Sequence, residues 1–143
     1  MLNPRLRRRL NPDLRLARRR SAGPAGDLLT WDVQARGNLA VVAVSGELDI
    51  DSALGLEGDL APVADVGRPL ILDLAGLRFC DCAGLSLFLR VQQRARAAGG
   101  SLHLAALTPR VLRVITAARL ADVLPITASV ADTVAALNEQ AAG

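Results

Sequence analysis

Hydrophobic residues follow two different periods along this chain, and the places where the period changes mark out its elements. Residues 28–34 and 39–45 are short apolar-rich runs separated by Gly37-Asn38, a two-residue turn signal, so they read as a β-hairpin. Over 51–64 the period becomes helical, with Ala53, Leu56, Leu60 and Val63 on one face. Gly55, Gly58 and Pro62 make this a poor helix by propensity, so packing has to hold it. Residues 70–74 form the continuous apolar run of a buried central strand. A loop is expected over 76–83, then a helix over 83–98 that stops at Gly99-Gly100. Residues 101–106 read as a strand. Thr108-Pro109 is an N-cap with proline at the first helical position, opening a helix to about residue 119. A short strand over 123–126 and a closing helix over 129–140, capped by Ser129, complete the pattern. Strands that alternate with helices after an opening hairpin imply an α/β domain, a mixed sheet with helices packed on it.

Composition narrows this picture. A chain of 143 residues holds one domain with one core. Hydrophobic residues make up 51% of it but aromatics only 2%, so the core is built from Leu, Val, Ile and Ala. All 17 basic residues are Arg, and they are unevenly spread. Residues 1–26 carry eight Arg against Asp13 alone, a charge of +7, whereas 27–143 hold nine Arg and 13 acidic residues, a charge of −4. With Pro4, Pro12 and Pro24 breaking any long helix, 1–26 read as a disordered, Arg-rich leader and 27–143 as the folded domain. Leu2, Leu6, Leu10 and Leu14 do recur at helical spacing within that leader. Nucleic acid is not an expected partner, because binding by such an arm is weak and salt-sensitive. No apolar run is long enough to span a bilayer, and the N-terminus lacks the apolar stretch of a secretory signal; a cytoplasmic location is expected. A disulfide between Cys80 and Cys82 would be strained and would staple nothing distant, so two free thiols are expected.

Signatures of catalysis and cofactor binding are missing: there is no GxGxxG, P-loop, GxSxG or HExxH, and His103 is the sole histidine. No cofactor, no metal and no enzymatic activity are expected. Trp31, the one tryptophan, reads as core or edge packing. The segment that remains is Phe79-Cys80-Asp81-Cys82-Ala83-Gly84-Leu85, which joins a buried strand to a helix. Asp81 is placed to cap that helix, Gly84 permits close approach, and Cys82 lies at a helix N-terminus, where free N–H groups favour an anion. Beyond it, Gly84, Phe88, Val91, Ala95 and Ala98 form a stripe toward the sheet, while Ser86, Arg90, Gln93 and Ala97 form the water-facing row. Cys82 precedes Ser86 by one turn, so the cap and the exposed row make one continuous surface suited to docking a partner. The plainer reading is a capped turn with inert cysteines.

Taken together, Val44-Ser45-Gly46-Glu47-Leu48-Asp49, Leu70-Ile71-Leu72-Asp73-Leu74, the segment 79–85, Gly99-Gly100 and Thr108-Pro109-Arg110-Val111 resemble the STAS domain of bacterial anti-sigma factor antagonists, over about residues 28–140. The resemblance implies a STAS-like mixed β-sheet of four to five strands flanked by about four helices. It implies a function too: binding an anti-sigma factor that is also a serine kinase, and so freeing a sigma factor for transcription. In the family the kinase phosphorylates Ser or Thr in a D-S/T-x-G-L turn, and the added charge and bulk break the complex. Here that turn is Asp81-Cys82-Ala83-Gly84-Leu85, with Cys82 at the phosphoacceptor position. By position Asp49 and Asp81 line the docking surface, Ser86 and Arg90 extend it, and Gly84 and Leu85 hold the turn. Because a thiol is not a substrate for a Ser/Thr kinase, the usual off-switch is expected to be missing. The alternatives are a STAS-like scaffold in another signalling complex, a redox-sensitive interaction module acting through Cys82, and a small thiol enzyme.

Overall fold

The computed structural model describes residues 19–22 and 28–142. They form a single mixed sheet, in the spatial order β1-β2-β3-β4-β5-β6, and four helices. The strands are β1 (Arg19–Ala22), β2 (Leu28–Arg36), β3 (Leu39–Leu48), β4 (Pro69–Cys80), β5 (Ser101–Ala105) and β6 (Ile126–Thr127). The helices are α1 (Ile50–Ala64), α2 (Cys82–Ala97), α3 (Pro109–Ala117) and α4 (Val130–Ala142). The α/β class and the mixed sheet are as the hydrophobic pattern implies. The opening hairpin is β2–β3, antiparallel from Thr30↔Ser45 to Arg36↔Leu39. It closes through Gly37 at φ +60°, a conformation glycine adopts without a Cβ clash.

From β3 onward the neighbours β3, β4, β5 and β6 are parallel. Each crossover moves one strand further in the same direction, so a constant hand places α1, α2 and α3 on one face. The main core shows this arrangement: Leu56 and Leu60 of α1, Phe88 and Val91 of α2 and Val111 and Ile115 of α3 pack on Val42, Leu70, Leu72 and Leu74. On the other face α4 lays Val130, Val134 and Leu137 over Val41, Ile71 and Ala105. The central strand is thus buried on both sides, which explains its unbroken apolar sequence. Trp31 belongs to the main core, and its Nε1–H donates to Asp59 of α1 at 2.7 Å.

Three elements differ from the sequence pattern. Residues 76–80 are not a loop: β4 continues through Cys80 and β3 through Leu48, paired as Ser45↔Gly76, Glu47↔Phe79 and Leu48↔Cys80 across two register shifts. Gly76 reads locally as a breaker, yet buried Leu77 and Cys80 gain enough from packing on β3 to carry the strand past it. The strand expected over 123–126 shrinks to Ile126–Thr127. A sixth strand, Arg19–Ala22, lies within the stretch read as leader and pairs antiparallel with β2 from Arg19↔Trp31 to Ala22↔Leu28. The rest of 1–26 lies outside the described residues, and so does the expectation that it is disordered. No helix among the described residues is long and apolar enough to cross a membrane.

Candidate docking site

Strands β3 and β4 run side by side and parallel, so they deliver two helix N-termini to the same end of the sheet. Leu48↔Cys80 is the last ladder pair, and Asp81 N–H donates to the Leu48 carbonyl at 3.1 Å, tying the two strand-to-helix turns together. Each turn is capped by an aspartate. Asp49 Oδ1 accepts from the N–H groups of Asp51 and Ser52, both at 3.0 Å, and the Ser52 hydroxyl returns the bond by accepting from Asp49 N–H at 3.0 Å. Asp81 Oδ1 accepts from Ala83 N–H at 2.9 Å and Gly84 N–H at 3.3 Å. Both carboxylates are half-buried and turned onto their own helices, so they shape the surface more than they reach out from it.

Cys82 is the first residue of α2 and is exposed, while Cys80, two positions earlier, is buried; both are free thiols. Burial, with a smaller contribution from the Asp81 charge, pushes the Cys80 thiol up to about 12. Its Sγ–H donates to the Asp81 carbonyl at 3.6 Å. Gly84 is buried for a packing reason: a Cβ there would lie 2.5 Å from Cys80 Sγ and 2.9 Å from Leu48 Cδ2. The close approach that this glycine permits is therefore to the protein's own strands. Leu85 is also buried, so Gly84 and Leu85 hold the turn from within, while Cys82 and Ser86 are exposed and Asp81 and Ala83 half-buried.

Further along α2 the water-facing row Ser86, Arg90, Gln93 and Ala97 is exposed as the spacing requires. Ala98, expected to end the buried stripe, is the exposed C-cap of α2. Arg90, though half exposed, is committed to an internal contact. Its Nε and Nη2 donate to Glu57 of α1 at 2.9 and 2.7 Å, a bidentate pair, and one turn on Arg94 grips Asp65 at 2.6 and 2.9 Å. These hydrogen bonds hold the carboxyls of Glu57 and Asp65 below their usual range, against the opposing effect of burial. The sequence reading missed this clasp because its partners lie 33 and 29 residues apart. It also passed over Ile50 and Leu54 on α1, 71% and 77% exposed beside the Asp49 cap. The available signal was two large apolar residues off the buried stripe of Ala53, Leu56, Leu60 and Val63.

His103 is remote from all this. It pairs with Ile71 on β4, nine residues before Cys80, which is about 30 Å at ~3.3 Å per residue. Its Nε2 meets the Ser101 hydroxyl at 2.9 Å, and burial lowers its pKa. The described residues bring together no three His, Cys, Asp or Glu side chains that could hold a metal ion.

Two capped helix ends, side by side at one end of the sheet around the exposed Cys82, make up the candidate docking site. The STAS domain model matches residues 30–133. A curated relative, the anti-sigma-B factor antagonist of Bacillus subtilis (strain 168), is 33% identical over 97 residues, covering 68% of this chain and 89% of that protein. Among solved structures, an anti-sigma factor antagonist from Mycobacterium paratuberculosis superposes with a TM-score of 0.72 at 24% identity, covering 82% of this chain and 98% of that one. The anti-sigma factor antagonist SpoIIAA in its unphosphorylated form superposes with a TM-score of 0.66 at 19% identity, covering 76% and 96%. The chain belongs to the STAS domain family of anti-sigma factor antagonists.

Proposed function

We propose that this protein binds an anti-sigma factor of the serine-kinase type through the turn 81–86 and the adjoining Asp49 cap, and thereby releases a sigma factor in the cytoplasm. The observation that carries this reading is the exposed side chain of Cys82 at the first position of a buttressed helix, in the place of the family's phosphoacceptor. The protein acts as a binding partner and turns nothing over: Cys82 has no histidine near it, since His103 lies on β5 beside Ile71, at the other end of β4. Asp81 shapes the turn by capping it, and Arg90 extends the surface while bonded to Glu57. A thiol at the acceptor position leaves the complex without its usual off-switch, so binding is constitutive toward that kinase.

The test mixes the purified chain with each serine-kinase anti-sigma factor encoded beside it in the cell, with ATP. One of them should bind, and mass spectrometry of the intact chain should show no added phosphate. Cys82→Ser should acquire one phosphate and then lose the complex. Failure of every such kinase to bind, or phosphate on the wild-type chain at Cys82 or Ser86, overturns the reading. The exposed thiol supports a second reading, oxidation as the switch: peroxide would take the Cys82 thiol to a sulfenic acid and itself be reduced to water. Equal partner affinity for oxidised, reduced and Cys82→Ser protein would remove that reading and leave the first intact.

A further inference from the structure

Helix α1 presents an outer face that its own packing does not explain. The buried side, Ala53, Leu56, Leu60 and Val63, lies on the sheet, while Ile50 and Leu54 stand in solvent one turn apart. The next turn on the same side brings Gly58, where a Cβ would meet nothing within 4 Å. Glycine inside a helix costs about 1 kcal/mol relative to alanine, and no close contact here calls for it. Two large apolar side chains followed by bare helix backbone make a seat for another piece of chain. Between Ile50 and Leu54 lies Asp51, exposed, and α1 contains no basic residue.

The chain carries a segment with the matching chemistry. Residues 1–18 hold six Arg against Asp13, and Leu6-Arg7-Arg8-Arg9-Leu10 repeats the four-residue apolar spacing of Ile50 and Leu54 with the opposite charge between. The point where this segment joins the fold is also suitable. Arg19 pairs with Trp31, whose indole donates to Asp59 in the middle of α1. From Asp59 back to Ile50 is nine residues of helix, about 14 Å at 1.5 Å per residue, well inside the reach of 18 residues of chain.

We propose that the N-terminal segment seats on the outer face of α1, Leu6 and Leu10 against Ile50 and Leu54 and the intervening arginines toward the exposed Asp51 between them. Tethering supplies a high effective concentration, so a patch too small to hold a separate molecule suffices here.

The test uses the full chain with isotope-labelled isoleucine and leucine methyl groups. Of the four isoleucines, Ile71 and Ile115 are buried and Ile126 half-buried, so the Ile50 methyl is separable by its exposure and by its loss in Ile50→Val. In the wild type the Ile50 methyl should give cross-peaks to leucine methyls that vanish in Leu6→Ser/Leu10→Ser. Reversing Arg7, Arg8 and Arg9 to Glu should remove the same cross-peaks, while Ile71 and Ile115 stay unmoved and report an intact fold. An Ile50 methyl that is identical in wild type and Leu6→Ser/Leu10→Ser overturns the proposal. So do Ile50 cross-peaks that survive that double substitution and grow with protein concentration, which would assign the face to a second copy of the chain.

Discussion

At the scale of single residues, the aspartates at the two turns act first through the backbone. Asp81→Ala removes the acceptor for two α2 N–H groups and should lower the free energy of unfolding by about 1 kcal/mol in urea titration. Gly84→Ala should cost more, about 1–3 kcal/mol, because the added methyl meets Cys80 Sγ and Leu48 on strands that cannot retreat. Position next to the helix was enough to read Asp81 as a cap. Asp49 gives no such local signal, since α1 begins one residue earlier than its apolar pattern suggests. The two thiols differ through depth alone. Cys80 is held protonated in the fold, whereas in the unfolded chain it ionises near its ordinary 9.0, so native binds more protons than unfolded between pH 9 and about 12. Stability attached to Cys80 is therefore complete below pH 9 and falls as the pH rises above it, with a slope approaching 1.4 kcal/mol per pH unit. The chain has no Lys and no Tyr, so no side-chain amine or phenol adds to that window. Urea unfolding at several alkaline pH values should show the slope in wild type and its loss in Cys80→Ala.

Between elements, α1 and α2 are joined by the Glu57–Arg90 and Asp65–Arg94 pairs over a shared apolar seam. Both pairs are substantially exposed and screened by solvent, so each contributes about 1 kcal/mol or less despite its bidentate geometry. Truncating Arg90 to Ala should lower stability by no more than that, and a double-mutant cycle with Glu57→Gln should give a coupling that shrinks with added salt. Both carboxyls titrate below their usual values in the fold, so their contribution is present above about pH 4.5 and is lost as acid protonates them. Glu57→Gln/Asp65→Asn should flatten the acid limb of the stability curve accordingly. The pairs also tie the middle and C-terminal part of α1 to those of α2. None of this shows in a helical wheel of α2, which marks Arg90 as water-facing and says nothing of α1. The extension of β4 to Cys80 has the same origin, since its ladder partners sit on β3.

For the whole molecule, the sheet divides the surface in two. The face built by α1, α2 and α3 ends in the Cys82 turn, while α4 covers the other. On the proposed reading, Ser86→Glu should weaken anti-sigma factor binding at least tenfold, about 1.4 kcal/mol by titration calorimetry. Glu139→Lys, exposed on α4, should leave it unchanged.

By itself the amino-acid sequence determined the succession of strands and helices, the buried central strand, the capped turn and the family, because period, caps and motif order are local properties of the chain. Tertiary structure decided which of the candidate residues are reachable. Gly84 and Leu85 went inward, Arg90 was taken by Glu57, Ile50 and Leu54 were left in solvent, and β1 joined the sheet. Those outcomes depend on distant segments meeting, and no local pattern encodes which neighbour a side chain will find across 30 residues of intervening chain.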